Sequence, residues 1–134
     1  MPKHQTIDVE IIDGRMVPID CGVVPLVVAL NKLAGVVTIE SCEGEDSFMD
    51  GHAYVRFVIT NDEDDTDDLL ASDSHVCKVL DHISLAIYRN RPNNSARVAL
   101  EFAPSRACKA CILTCSGQEV IRIARVIDRL AWPR

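Results

Sequence analysis

The sequence has few aromatic residues and no excess of positive charge. Phe, Trp and Tyr make up 4% of its 134 residues, and the formal net charge is −6. A hydrophobic core must therefore be built mainly from Val, Ile, Leu and Ala. Non-specific binding to nucleic acid needs a basic surface, so the acidic balance argues against nucleic acid as a partner.

Long hydrophobic runs and targeting segments are also missing. The longest apolar run, Val23 to Leu30, is interrupted by Pro25 and is far shorter than a membrane-spanning helix. The N-terminal residues lack the charged and apolar regions of a secretory signal peptide. We therefore expect a cytoplasmic protein with no membrane association. Its six cysteines are then reduced thiols or metal ligands rather than disulfides.

What the chain does contain is typical of one globular domain, spanning 1–134. Hydrophobic residues make up 48% and charged residues 25% of the sequence. The spacing of apolar residues predicts the order β-β-α-β-β-α-β-α. The predicted strands lie near residues 7–11, 16–19, 37–41, 53–59 and 98–102, and the predicted helices near residues 22–34, 67–88 and 116–130. Ser116 and Glu119 have the spacing of a capping box at the start of the last helix.

This order predicts an α+β fold with two layers. Its centre is a ferredoxin-like β-α-β-β-α-β core with an extra N-terminal strand and a C-terminal helix. The helices would cover one face of the sheet. The open face would show Thr38, Glu40, Tyr54, Arg56, Arg97 and Glu101. That face could bind a ligand, pair with a second copy of the chain, or remain in solvent.

The first candidate site is a rim of this sheet. Ser41, Cys42, Glu43 and Gly44 form a predicted turn where one strand ends, and His52 lies where the next strand begins. We expect Cys42 and His52 to meet at the same end of adjacent strands. A thiol beside an imidazole can act as an activated nucleophile. In the alternative reading, Cys42 is a small buried residue and His52 is a polar strand terminus.

The second candidate site is a C-x-x-C pair, Cys108 and Cys111, in a cysteine-bearing segment that is predicted to be a loop. Two thiolates at this spacing can form half of a tetrahedral zinc site. Cys42 and His52 would complete the ligand set if the loop returned to their end of the sheet. The cofactor of this set would be zinc. The alternative is that the cysteines of the loop are incidental thiols.

Arginines on the open face form the third candidate. Arg56 and Arg97 would share that face and could receive an anionic ligand. Alternatively, they pair across strands with Glu40 and Glu101. RNA-binding sheets of this topology stack bases on two or three aromatic residues, and only Tyr54 is present here. The pattern therefore does not favour RNA recognition.

Two segments carry a family resemblance. LNKLAGVVTIESCEG at 30–44, followed by AYVRF at 53–57, resembles a group of small bacterial and phage proteins with a Ser-Cys-x-Gly turn. More distantly, it resembles the methyltransferase family of tRNA wybutosine synthesis, in which such a turn lies near the S-adenosylmethionine and RNA site. By this resemblance, Ser41, Cys42 and Gly44 would be site residues.

The sequence therefore predicts a small binding domain with a small-molecule or metal site at the rim of its sheet. The predicted ligand-binding residues are Ser41, Cys42, Glu43, Gly44, His52, Tyr54 and Arg56, and the predicted metal ligands are Cys42, His52, Cys108 and Cys111. One alternative is an S-adenosylmethionine-dependent tRNA-modifying enzyme. Another is a module that forms a homodimer through its open sheet face or its arginine-bearing last helix. The sequence leaves open whether the protein is an enzyme.

Overall fold

The computed structural model describes residues 5–10, 14–33, 35–44, 52–60, 73–101 and 110–130. The described strands are β1 (Thr6–Glu10), β2 (Met16–Asp20), β3 (Val36–Cys42), β4 (Ala53–Ile59), β5 (Arg97–Glu101) and β6 (Ala110–Cys115). The α-helices are α1 (Val24–Asn31), α2 (Asp73–Asn90) and α3 (Val120–Asp128). Among these helices, none combines the length and the apolar composition that a bilayer crossing requires.

The described strands form two antiparallel sheets. β1 and β2 make a separate hairpin, in which Thr6 lies opposite Asp20 and Glu10 opposite Met16. The larger sheet has the order β3-β4-β6-β5, and each strand runs antiparallel to its neighbours. The mixture of two sheets and three helices confirms the predicted α+β class.

The helices pack against one face of the larger sheet. α3 contacts both α1 and α2. Pro25 lies in the first turn of α1, where the N–H that proline lacks would have no helical partner in any case. Alternate residues of β4 point towards the helices, with Phe57 fully buried among them. The rest of this core consists mainly of Val, Leu, Ile and Ala, which confirms the prediction from the low aromatic content.

The strands assigned to a ferredoxin-like unit do not pair as that unit requires. β2, its predicted first strand, pairs with β1 instead of joining the larger sheet. The place beside β4 is taken by β6, which the sequence analysis assigned to a loop. Cys111 and Leu113 of β6 are fully buried. Such a continuous apolar run is typical of a central strand, and its cysteines obscured that pattern.

A bulge in β3 changes which side chains share a face. Thr38 lies opposite Phe57 and Glu40 opposite Arg56, so Ile39 is an extra residue without a partner in the ladder. Thr38 is therefore buried on the helix side, and its predicted place on the open face is wrong. Asn31 of α1 holds it there, because Asn31 Nδ2 donates to the Thr38 hydroxyl at 2.9 Å and Asn31 Oδ1 accepts the Thr38 N–H at 3.2 Å.

A hydrogen-bond cluster replaces the predicted capping box at the start of α3. Ser116 makes no side-chain cap, and its N–H donates to Ser95 Oγ at 2.9 Å. The Glu119 carboxylate accepts the Ser95 N–H at 2.8 Å, the Ser95 hydroxyl and the guanidinium of Arg122. Arg122 Nη1 also donates to Asn90 Oδ1 at 2.7 Å. The cluster thus joins the end of α2, the approach to β5 and the start of α3.

Candidate functional site

The pairing of β3 with β4 places the predicted rim residues at one end of the larger sheet. Cys42 is the last residue of β3 and lies opposite Tyr54. His52 directly precedes β4. Because adjacent antiparallel strands keep these positions together, Cys42 and His52 lie at the same end of the sheet.

Hydrogen bonds fix the turn that follows β3. The Glu43 N–H donates to Asp20 Oδ2 at 3.1 Å, which ties the turn to the end of β2. The Gly44 N–H donates to Cys42 Sγ at 3.4 Å. Gly44 has a φ of 105°, a conformation that residues with a Cβ rarely adopt. The backbone conformation of the turn thus explains why the Ser-Cys-Glu-Gly pattern ends in glycine.

The same turn packs closely on the chain between β2 and α1. The Glu43 side chain lies against Gly22, where an added Cβ would come within 2.9 Å of Glu43 Cβ. Such a distance is shorter than real contacts of this kind, so only glycine fits at position 22 without a shift. Glu43 is therefore positioned by the hairpin as well as by its own strand.

Cys42 and Cys111, which were predicted to share one zinc ion, lie far apart. Cys42 is opposite Tyr54, whereas Cys111 is opposite Phe57 on the other side of β4. This register separates them by about 10 Å along the strands and by about 10 Å across them. Thiolates bind zinc at about 2.3 Å, so these two cannot share one ion in this arrangement. Cys108, the other predicted thiolate, lies outside the described residues.

Burial also makes the Cys111 and Cys115 thiols poor metal ligands and poor nucleophiles. It raises the pKa of the Cys111 thiol to about 11, and that of Cys115 to about 11 as well. Metal ligation and nucleophilic attack both require the thiolate. In the parts of the chain that the structure describes, no group of three or more His, Cys, Asp or Glu side chains is arranged to hold a metal ion.

A polar network crosses the sheet face opposite the helices. The Arg56 guanidinium donates to Glu101 through Nε at 2.8 Å and to Glu40 through Nη1 at 3.0 Å. The Tyr54 hydroxyl donates to the same Glu40 oxygen at 3.0 Å. The guanidinium carbon of Arg56 also lies 4.9 Å from the centre of the Tyr54 ring. Cross-strand pairing, one of the two roles considered for Arg56, is therefore the role found.

This network changes the acid–base behaviour of its members. Burial and the bond to Glu40 raise the pKa of Tyr54 to about 12. The bond to Glu101 raises the pKa of Arg56, which remains protonated. Arg97 lies apart from the network, because its Nη1 donates to the backbone carbonyl of Ala96 at 2.7 Å. Arg56 is thus occupied by its own sheet, and an anionic ligand would have to displace two carboxylates.

A groove separates the hairpin from β3. It has a volume of about 400 Å³. Its lining residues are Arg15, Val17, Pro18, Ile19, Thr38, Ile39, Glu40 and Ser41. Ser41 and Glu40 belong both to this groove and to the surroundings of the predicted rim. At one end of the groove, the hydrogen bond from the Glu43 N–H to Asp20 connects the hairpin to the turn after β3.

Sequence reasoning missed most of the groove. Arg15 and Val17 are on the hairpin, and Ile39 is the bulged residue of β3. Arg15 and Val17 belong to no recognisable sequence motif, and their position beside β3 depends on how the hairpin packs. The sequence gives no sign of the exposure of Ile39, because Ile39 alternates with Thr38 and Glu40 as a buried strand residue would. Only the bulge turns it outward and leaves it 45% exposed.

Comparisons of this chain with protein-family models, with curated protein sequences and with solved structures found no match. The resemblance of its Ser-Cys-Glu-Gly turn to the tRNA wybutosine methyltransferase family therefore stays a prediction.

Proposed function

We propose that the protein is a small binding domain whose ligand occupies the groove between the hairpin and β3. The observation that carries this proposal is the groove itself, about 400 Å³ in volume and next to the predicted rim. Small-molecule sites are typically clefts of about 300–1,000 Å³ with an apolar lining and a few placed polar groups. The groove has this size and this mixture of side chains.

The apolar part of the groove comes from both walls. Val17, Pro18 and Ile19 form the hairpin side, and Ile39 forms the β3 side. Ile19 is anchored in the core, being 7% exposed, so the hairpin wall is held by burial. A compact apolar group placed here would cover the exposed part of Ile39, and that burial would favour binding.

The polar part of the groove has both signs of charge. Arg15 lies on the hairpin, and Glu40 lies on β3 with its side chain 43% exposed. Tyr54 and Arg56 both bond Glu40 Oε1, which fixes the orientation of this carboxylate. The chemistry favours a ligand with an apolar body and a charged or hydrogen-bonding group at its end.

Binding of simple probes tests this proposal. We would titrate the full chain with benzamidine, a cation, and with benzoate, an anion, and follow backbone amide shifts by NMR. Both have a compact apolar ring. We expect shifts at Ile39, Glu40 and Ser41, with the cation favoured near Glu40 and the anion near Arg15. Amides of Ser84 and Tyr88, on a smaller groove of about 290 Å³ beside α2, are an internal comparison.

A matched pair of variants makes the test specific. Ile39→Arg would place a long side chain in the groove, and Leu85→Arg would place the same side chain on the exposed surface of α2. Ile39 and Leu85 are 45% and 48% exposed, so both variants should fold. Probe shifts that vanish in Ile39→Arg and persist in Leu85→Arg support the groove. If neither probe shifts the groove amides, or if Ile39→Arg has no effect, the proposal fails.

A further inference from the structure

Among the described strands, β5 is an edge of the larger sheet, and three of its five residues are exposed. It lies at the end of the order β3-β4-β6-β5, and no other described strand pairs with it beyond β6. Arg97 and Ala99 are exposed, and Leu100 is 47% exposed although it lies on the helix side of the sheet, opposite Cys111. Its pairing with β6 is continuous from Arg97 to Glu101. Unprotected edges of this kind are templates for pairing with another strand.

The sequence of β5, Arg-Val-Ala-Leu-Glu, is complementary to itself. Two such strands placed antiparallel, with a two-fold axis at Ala99, would bring Arg97 of each copy opposite Glu101 of the other. The same register would bring Val98 opposite Leu100. Directly opposed residues in an antiparallel pair share a face, so the charges would meet on one face and the apolar side chains on the other.

We propose that two copies of this chain associate through β5, forming one continuous eight-stranded sheet across a two-fold axis. A two-fold interface uses the same patch on both copies, which is why it needs a self-complementary strand. Exposed Leu100 would be covered by Val98 of the second copy. The Arg97 guanidinium, which now bonds backbone carbonyls through Nη1, has further N–H donors for the Glu101 carboxylate of the second copy.

The surroundings of β5 extend the contact on the helix side. A groove between α2 and β5 is lined by Ile87, Tyr88, Pro92 and Val98 among others, and Tyr88 is 59% exposed. Stable interfaces bury about 1,200 Å² or more, which five paired residues alone do not supply. We therefore expect a reversible dimer whose population depends on protein concentration.

Substitution at the two-fold axis tests this register. Ala99→Lys would set two lysines directly opposite each other, and Ala99→Glu would do the same with two glutamates. Ala99 is exposed in the single chain, so both variants should fold. We expect each variant alone to dimerise at least about fivefold more weakly than wild type. An equimolar mixture should restore dimers that contain one copy of each, because Lys and Glu then meet on the axis.

Sedimentation equilibrium up to about 1 mM protein measures the dissociation constants, and native mass spectrometry identifies the mixed dimer. Ile121→Lys, on the exposed surface of α3, is the control and tests the last helix as the interface; it should leave the dimer unchanged. A wild-type protein that stays monomeric over this range would overturn the proposal. So would a dimer that Ala99→Lys does not weaken, or a mixture that does not restore it. None of these measurements involves the groove beside β3.

Discussion

The two edges of the larger sheet are protected in different ways. β3 has a bulge at Ile39, lies beside the hairpin, and is tied to α1 through Asn31 and to β2 through Asp20. β5 has a continuous register and is held at its beginning, where Ser95 bonds Glu119, and at its end, where Glu101 bonds Arg56. Three of its five residues are exposed.

This difference shows how a local irregularity changes what an edge can do. A bulge interrupts the regular spacing of backbone groups, so a second strand cannot add along the whole edge. Beside β3, the interruption and the hairpin leave the groove of about 400 Å³ that we propose as a small-molecule site. Beside β5, the regular spacing is retained, and that edge is suited to another strand. Four variants test this contrast.

The largest effect is expected from Glu119→Ala, which removes the anchor of β5. Ser95 would lose an acceptor for its N–H and hydroxyl, and Arg122 would lose its counter-charge. Nε of Arg122 is already buried, and no described residue accepts its hydrogen bond. We expect the free energy of unfolding to fall by about 3 kcal/mol at neutral pH, as measured by urea denaturation. Glu119→Gln keeps the shape and some hydrogen bonding, and should cost less.

The pH dependence of this effect has a definite sign. The bonds from Ser95 and Arg122 lower the pKa of Glu119 from 4.5 to about 2. A carboxylate with a lowered pKa stabilises the folded state fully above its ordinary pKa, and this stabilisation is lost as the pH falls towards the lowered value. The difference between wild type and Glu119→Gln should therefore shrink between pH 4.5 and about 2. A difference that stays constant over this range would contradict the cluster.

The second effect concerns Arg56, which links the two edges. It bonds Glu40 of β3 and Glu101 of β5, so its side chain spans the sheet. We expect Arg56→Met to lower the free energy of unfolding by about 1.5 kcal/mol, a value reduced by the partial exposure of both carboxylates. Arg97→Met is the matched control, measured in dilute protein. It should change stability by less than about 0.5 kcal/mol, and equal losses in the two variants would contradict the link.

The third effect is that of Tyr54→Phe, which removes one hydrogen bond to Glu40 and should cost about 1 kcal/mol. The raised pKa of Tyr54 also predicts how stability changes with pH. The stabilisation from its buried phenol is fully present below the ordinary pKa of 10.0 and is lost as the pH rises towards about 12. In a Tyr88→Phe background, Tyr54 is the only tyrosine. Ultraviolet absorbance of that variant should show the phenol ionising near pH 12, and a midpoint near 10 in folded protein would contradict the buried bond.

The smallest change in stability is expected from deletion of Ile39. The deletion leaves Thr38 opposite Phe57 and Glu40 opposite Arg56, with regular alternation of faces. We therefore expect the free energy of unfolding to change by less than about 1 kcal/mol. Binding of benzamidine and benzoate should nevertheless be lost, because the groove loses the apolar part of its β3 wall. If the probes still bind, the bulge is not what forms the groove.

Much of this fold could be predicted because it is local. Alternation in β4 identified its buried face, and the same pattern placed Glu40, Tyr54 and Arg56 on the other face. The strand pair around the rim followed from the predicted turn between two apolar runs. These features depend on neighbours in the sequence, so a single chain was enough to find them.

The features that were missed depend on distant parts of the chain. β6 has buried residues on both faces, Cys111 and Leu113 on the helix side and Ile112 on the other, and its sequence alone does not distinguish that from a cysteine-bearing loop. The burial of Thr38 depends on Asn31 and on the bulge. The groove exists only after the hairpin has packed beside β3. The periodicity of apolar residues in the sequence does not reveal any of these long-range contacts.

The central position of β6 has a consequence for synthesis on the ribosome. Ala53 of β4 pairs with Cys115 of β6, so β4 leaves the ribosome long before the strand that completes its ladder. During that interval the nascent chain has β3 and β4 with an uncovered edge and helices without their full support. Contacts between residues so far apart close slowly. We therefore expect the growing chain to fold only after β6 has emerged, and molecular chaperones to bind it before then.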